Sequence, residues 1–184
     1  GLTMLANDDL NFYIEENNPA NSLEYKTKDG FQKYNLIEKT IKIKDAADTT
    51  FTVKVSKHGP IMNGLVEHIE DKRPIAMHWI YTQLENETLD IAFGMSHSKS
   101  LFEFKKAAEK IHAPGLNVMY GDSKNNIAWF ASAKLYQLRE GLSSRMYLNS
   151  ASGEDEIVEY LSFDENPKAI NPIINYVYSA NNQL

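Results

Sequence analysis

The stretch Val118-Met119-Tyr120-Gly121-Asp122, Ser123-Lys124-Asn125-Asn126, Ile127-Ala128-Trp129-Phe130-Ala131-Ser132-Ala133 limits the fold more than any other. Two apolar, aromatic-rich runs flank a polar block of Asp, Ser, Lys and paired Asn. Asn and Asp tolerate left-handed backbone and bond their own main chain, so the block reads as the turn of a β-hairpin. Bulky residues stand at nearly every position of both arms, which predicts cover on both faces and a place inside the fold. On these grounds the hairpin is a core element without chemistry of its own.

The 184 residues fit a single domain spanning 1–184, and 42% hydrophobic content with 24% charge suits a chain with a proper core. A net charge of −6 argues against nucleic acid and anionic membrane as partners, since both need clustered Lys and Arg. No apolar run approaches the ~20 residues of a membrane-spanning helix. With no cysteine the sequence holds no disulfide, thiol nucleophile or thiolate metal site. Gly1 begins without an initiator Met or leader, and Gln183-Leu184 directly follows a strand-like run, so the expectation is an excised piece of a longer polypeptide.

Most of the chain reads as antiparallel strands. Tyr25 to Phe31 is a hairpin around Asp29-Gly30. Leu36 to Lys44 and Phe51 to Ser56 alternate apolar with polar positions, as half-buried strands do. Arg73 to Ile80 places Ile75, Met77 and Trp79 on one inward face, and Leu89 to Met95 is expected to continue the sheet. Ile157 to Phe163 and Asn175 to Ala180 are further strands. Asn166-Pro167 and Asn171-Pro172 bracket an irregular crossing, because residues before proline disfavour helix. One helix stands out from Leu101 to about Ile111. Ser100 and Glu103 form its capping box, Leu101, Phe104, Ala108 and Ile111 its core stripe, and Pro114-Gly115 its end.

Chemistry-bearing motifs are few. His58, His68, His78, His97 and His112 show no short ligand spacing for zinc. His58, beside Gly59-Pro60, reads as a turn residue. Asn7-Asp8-Asp9-Leu10-Asn11 is either a loop of Asx turns or a source of hard oxygens for Ca²⁺.

Taken together, several segments resemble the β-subunit of the penicillin acylase (penicillin amidase) family of N-terminal nucleophile (Ntn) hydrolases. They are Leu2-Thr3-Met4 through Asp8-Asp9-Leu10-Asn11-Phe12-Tyr13, then His58-Gly59-Pro60. Leu116-Asn117-Val118-Met119-Tyr120-Gly121-Asp122 and Asn126-Ile127-Ala128-Trp129 follow. Glu165-Asn166-Pro167, Asn171-Pro172 and Tyr178-Ser179-Ala180-Asn181-Asn182 complete the set, in order from end to end.

The resemblance implies an α+β fold, mainly antiparallel β with one or two helices, forming part of the αββα sandwich of Ntn hydrolases. It implies cleavage of the amide between an apolar acyl group and an amine, as in penicillins, cephalosporins and N-acyl homoserine lactones. An N-terminal Ser attacks, with its own α-amine as base, so the chemistry needs no cofactor. One main-chain N–H and one Asn carboxamide hold the tetrahedral oxyanion. Carried over, these donors fall on Met4 and Asn181, and the acyl-pocket wall falls on Leu116. The family's calcium site falls on Asp8, the Leu10 carbonyl and Asn11. An amide at position 11, where the best-known members carry a carboxylate, lowers cation affinity. The nucleophile falls before Gly1, which has no side chain to replace it. The fragment is therefore expected to be inactive, with the remaining segments of the parent α- and β-subunits as its partners and a periplasmic or secreted location. Read without the family, Asn181 is a turn residue and Leu116 a core residue. A second class of function is a non-catalytic β-rich module binding ligands on an aromatic surface of Trp79, Trp129, Tyr176 and Tyr178.

Overall fold

A computed structural model describes residues 1–67 and 69–181; His68 and Asn182, quoted above, lie outside the described residues. The chain forms two compact units. The first comprises Gly1–Asp9, Ile80–Gln137 and Ile157–Leu184, the second Leu10–Trp79 and Leu138–Glu156. Among the described residues the sheets are almost entirely antiparallel and there are three short helices, α1 (Ile80–Gln83), α2 (Thr88–His97) and α3 (Leu101–Ala108).

The expected hairpin is the centre of the first unit. Leu116–Gly121 pairs with Ile127–Ser132, flanked by Leu2–Met4 on one side and Lys168–Ile170 on the other. Its turn is built on Asp122, whose carboxylate accepts from the Lys124 and Asn126 N–H groups, from Asn126 Nδ2 and from the Tyr120 hydroxyl. Asn125 supplies the left-handed residue, with φ of 65°. The Asn126 amide leads these bonds in holding the Asp122 carboxyl down, to about 2. Helices α2 and α3 cover one face, where Ala108, Ile111 and Val118 are buried against Ile91, Met95, Phe104, Leu116 and Phe163.

The Asn-Pro motifs pin this sheet. Buried Asn166 donates from Nδ2 to the carbonyls of Ala131 and Ala133, and Asn171 accepts the Ile127 N–H. Between them the expected irregular crossing contains the short strand Lys168–Ile170.

Two expectations fail outright in this unit and two hold only in part. Leu89 to Met95, expected as strand, lies inside α2. Asn175 to Ala180, expected as the last strand, joins no ladder. Helix α3 starts as expected: the Ser100 hydroxyl accepts the Glu103 N–H, and the Glu103 carboxylate takes the N–H of Lys99. It stops at Ala108, three residues early, and bonds from Lys110 and Ile111 back to Ala107 and Ala108 tighten the exit. From the expected strand at Ile157 to Phe163 only Glu159–Tyr160 pairs, with Tyr136–Gln137.

In the second unit Leu10–Ile14 runs between Ile75–Trp79 and a parallel partner, Leu148–Asn149. The expected hairpin forms from Asn21–Thr27 and Gly30–Lys33, with Gly30 at φ of 116°. Asn35–Ile41 pairs with Thr49–Ser56 over its whole length, yet Leu36 and Ile41 are exposed rather than half-buried. In Ile75–Trp79 the opposite positions, Ala76 and His78, are buried as well, so both faces are covered. Tyr13, Tyr25, Tyr34, Ile61, Ala76 and Leu148 form the core.

Candidate active site

Leu2–Met4 is an edge strand, and its register decides where its hydrogen-bonding groups point. Met119 N–H donates to the Gly1 carbonyl at 2.8 Å, and Leu5 N–H to the Gly115 carbonyl at 3.0 Å. Odd-numbered residues thus bond inward to the hairpin. In an antiparallel pair the next residue along turns its N–H the other way, so Met4 N–H points off the open edge of the sheet. There it donates to Asn181 Oδ1 at 2.7 Å, a contact between residues 177 positions apart. Met4 and Asn181 are both exposed, so the pair is open to solvent. Asn181 adopts left-handed backbone, φ 55°, which a short amide side chain tolerates.

The Met4 peptide is held from its other side too. Asn117 is buried, donates from Nδ2 to the Met4 carbonyl and accepts the Trp129 indole N–H on Oδ1, both at 2.9 Å. Sequence alone assigns Asn117 no role, although an amide set between apolar Leu116 and Val118 is itself a signal. Both of its ends are satisfied, and it fixes the plane of the peptide next to the edge donor.

Leu116 stands opposite Met4 in the ladder and packs in the cluster beneath α2 and α3. It also lines a largely apolar cavity of about 320 Å³ with Leu2, Ile91, Met95 and Ile111, where Tyr81, Asn86 and His112 add polar atoms. Leu116 is thus a core residue that also borders a cavity.

The three residues expected at calcium divide otherwise. Asp8 is an exposed loop carboxylate in the first unit, whereas Leu10 and fully buried Asn11 belong to a strand of the second. They offer three oxygens of the six to eight that Ca²⁺ takes, so they do not make a complete site. Among the described residues no group of three or more His, Cys, Asp or Glu comes together to hold a metal ion.

His58 is more than a turn residue. It is buried in the second unit, stacked on Tyr13 with ring centroids 3.9 Å apart. Its Nδ1 lies 2.8 Å from buried Glu15, and its Nε2 3.1 and 3.2 Å from the two oxygens of Glu156, which also bonds Lys57. Burial alone would push the imidazole down, but bonds to the two carboxylates raise it above its usual 6.5. Burial likewise opposes the charge on Glu15, and His58, Ser150 and Ser56 more than offset it, lowering that carboxyl. Glu156, despite its burial, falls to about 2 beside His58 and Lys57. The cluster runs from buried His58 and Glu15 out to Glu156 and Lys57, each about a third exposed.

The family model described as Penicillin amidase matches residues 1–184. The chain belongs to the penicillin amidase family. Among curated proteins this penicillin amidase family chain is similar to the acyl-homoserine lactone acylase QuiP of Pseudomonas aeruginosa. The two are 25% identical over 150 residues, which cover 77% of this chain and 18% of the relative. Among solved structures it is similar to a thermostable penicillin G acylase from Alcaligenes faecalis, with a TM-score of 0.84 and 24% identity. That likeness covers 99% of this chain and 32% of the other, and shows that the two share a fold. The penicillin amidase family chain thus spans under a fifth of the curated relative and about a third of the structural one.

Proposed function

We propose that the complete protein is an amidohydrolase that cleaves the amide between an apolar acyl group and an amine, of the β-lactam acylase or N-acyl homoserine lactone acylase type. The attacking Ser lies outside these residues, and this chain supplies the oxyanion donors. The observation that carries the reading is the contact between the outward N–H of Met4 and the Asn181 carboxamide. An edge-strand N–H with a carboxamide beside it is the arrangement that a developing alkoxide needs.

In the resting arrangement the Asn181 oxygen occupies the Met4 donor. The substrate carbonyl oxygen competes for that N–H, and the carboxamide turns to offer Nδ2 as the second donor. The Ser α-amine takes the hydroxyl proton as Oγ attacks, and later delivers it to the leaving amine. The apolar cavity walled by Leu116 receives the acyl group. Its composition suits a carbon chain or ring with a small polar contact, and both named relatives are acylases.

A structural Ca²⁺ held by segments of the parent subunits is part of the same proposal. The ion takes no part in the reaction. Location in the periplasm or outside the cell is part of the same proposal. Among the described residues no helix is long and apolar enough to cross a membrane.

The test is Asn181→Ala in the full-length protein, assayed on a chromogenic phenylacetyl anilide and on N-acyl homoserine lactones. Loss of one oxyanion donor is expected to lower kcat by about 10²–10³ with the fold intact. Undiminished turnover would remove Asn181 from the mechanism.

A further inference from the structure

Thr3 and Ser179 take no part in the donor pair, yet their hydroxyls meet. Thr3 Oγ1 lies 2.5 Å from Ser179 Oγ, between residues 176 positions apart. Thr3 immediately precedes Met4, and Ser179 stands two residues before Asn181. The contact therefore ties together the two segments that carry the proposed oxyanion donors, right beside those donors.

Such a tie meets a physical need. The segment leading to Asn181 joins no ladder, so regular backbone pairing does not fix its height along the edge strand. Asn181 itself is exposed and sits in a left-handed conformation that costs a non-glycine residue energy. A hydrogen-bond donor aimed at a transition state has to be held to about 0.5 Å. Thr3 is well placed to do this. It pairs with Asn117, whereas Leu116 and Val118 on either side face α2 and α3. Alternation therefore puts the Thr3 side chain on the sheet face away from the helices and the apolar cavity.

We propose that the Thr3–Ser179 hydroxyl pair is a positioning clamp, which sets the 179–181 segment against the edge strand so that the Asn181 amide and the Met4 N–H address one point. The inference rests on the oxyanion reading of Met4 and Asn181. The clamp touches neither the cavity nor the reacting atoms, so its loss leaves ground-state binding alone. It weakens only the interaction made in the transition state, which lowers kcat and leaves KM in place.

The experiment measures kcat and KM of the full-length protein on acyl anilides for Thr3→Val, Ser179→Ala, the double variant and Thr3→Ser. Each of the first two is expected to lower kcat by about 10–100-fold, the scale of a misplaced catalytic group, with KM nearly constant. The double variant is expected to be no worse than either single, because both remove the same bond. Thr3→Ser keeps a hydroxyl and is expected to restore kcat. Unchanged kcat in both singles, losses that multiply in the double, or no recovery with Ser would overturn the clamp. Asn181→Ala separates the two claims. If it collapses kcat and Thr3→Val does not, the clamp falls and the oxyanion reading stands. If Asn181→Ala leaves kcat intact, the oxyanion reading falls, and the clamp falls with it.

Discussion

A protonated His58 between Glu15 and Glu156 is stable only while all three are charged, which gives the second unit a window of pH. The imidazole is raised above 6.5, so its contribution is complete below pH 6.5 and is lost as pH rises through its folded value. The carboxyls are lowered from 4.5, so theirs is complete above pH 4.5 and is lost as pH falls, toward about 2 for Glu156. Other groups facing the cluster include Lys57, bonded to Glu156, and His78, whose own value burial and the His58 charge push down, together with Tyr25 and Tyr34, whose hydroxyls burial and the nearby Glu15 charge push up, away from this window. Thermal unfolding of the chain is therefore expected to peak between about pH 4.5 and 6.5. His58→Ala leaves Glu15 buried without its ionic partner and is expected to cost roughly 3–5 kcal/mol, and to flatten that peak. A melting profile against pH that keeps its shape in the variant would show that the cluster does not set the window. In the sequence His58 is legible only as a turn residue, because Glu15 and Glu156 stand 43 and 98 positions away.

At the scale of elements, α2 shows why some of the fold was not legible. Leu89, Ile91, Phe93 and Met95 alternate with Asp90, Ala92 and Gly94, and period two reads as strand. The same residues also form two pairs spaced by four. Ile91 and Met95 pack on the core, while Leu89 and Phe93 face outward at 85% and 65% exposure. Only the neighbour decides between the two periods, and that neighbour is α3. A Cβ on Gly94 would lie 2.9 Å from the Ala107 Cβ, too close to fit without movement. Gly94→Ala is expected to push the helices apart at a cost of about 1–3 kcal/mol. Ala107→Gly is expected to recover part of that loss in the double variant, beyond its own helix-propensity cost of about 1 kcal/mol. Urea unfolding of the four chains checks this, and strictly additive losses would mean that the contact is not limiting. The hairpin and the start of α3 were legible because their signals are local, Asp122 with Asn125 in one and Ser100 with Glu103 in the other. The 175–180 segment was misread for the opposite reason. Tyr176 and Tyr178 have strand propensity, but propensity expresses fit to a neighbouring strand, and this segment pairs with none.

The whole chain carries more apolar surface than its own elements cover. In the first unit Leu89, Phe93 and Phe102 project from α2 and α3, and Ile173, Ile174, Tyr176 and Tyr178 from the segment before Asn181. Single exposed apolar residues are ordinary on a surface, but so many on one unit suit a chain that other segments cover. The long side chains of Tyr176 and Tyr178 also give the aromatic-module reading its one foothold. Trp129 does not help it, being half-buried with its indole N–H bonded to Asn117. The two readings part over the isolated chain. As a piece of an acylase it holds the oxyanion donors without an attacking Ser, so it is expected to give no turnover of acyl anilides. It is also expected to self-associate through its exposed apolar residues, as seen by sedimentation and by binding of an apolar dye. As a binding module it would remain monomeric and take up aromatic ligands with a saturable fluorescence change. Addition of the complementary segments of the parent, purified separately, is expected to dissolve the self-association and restore hydrolysis together. Hydrolysis by the 184-residue chain alone would place the nucleophile among these residues and overturn the division of labour argued here.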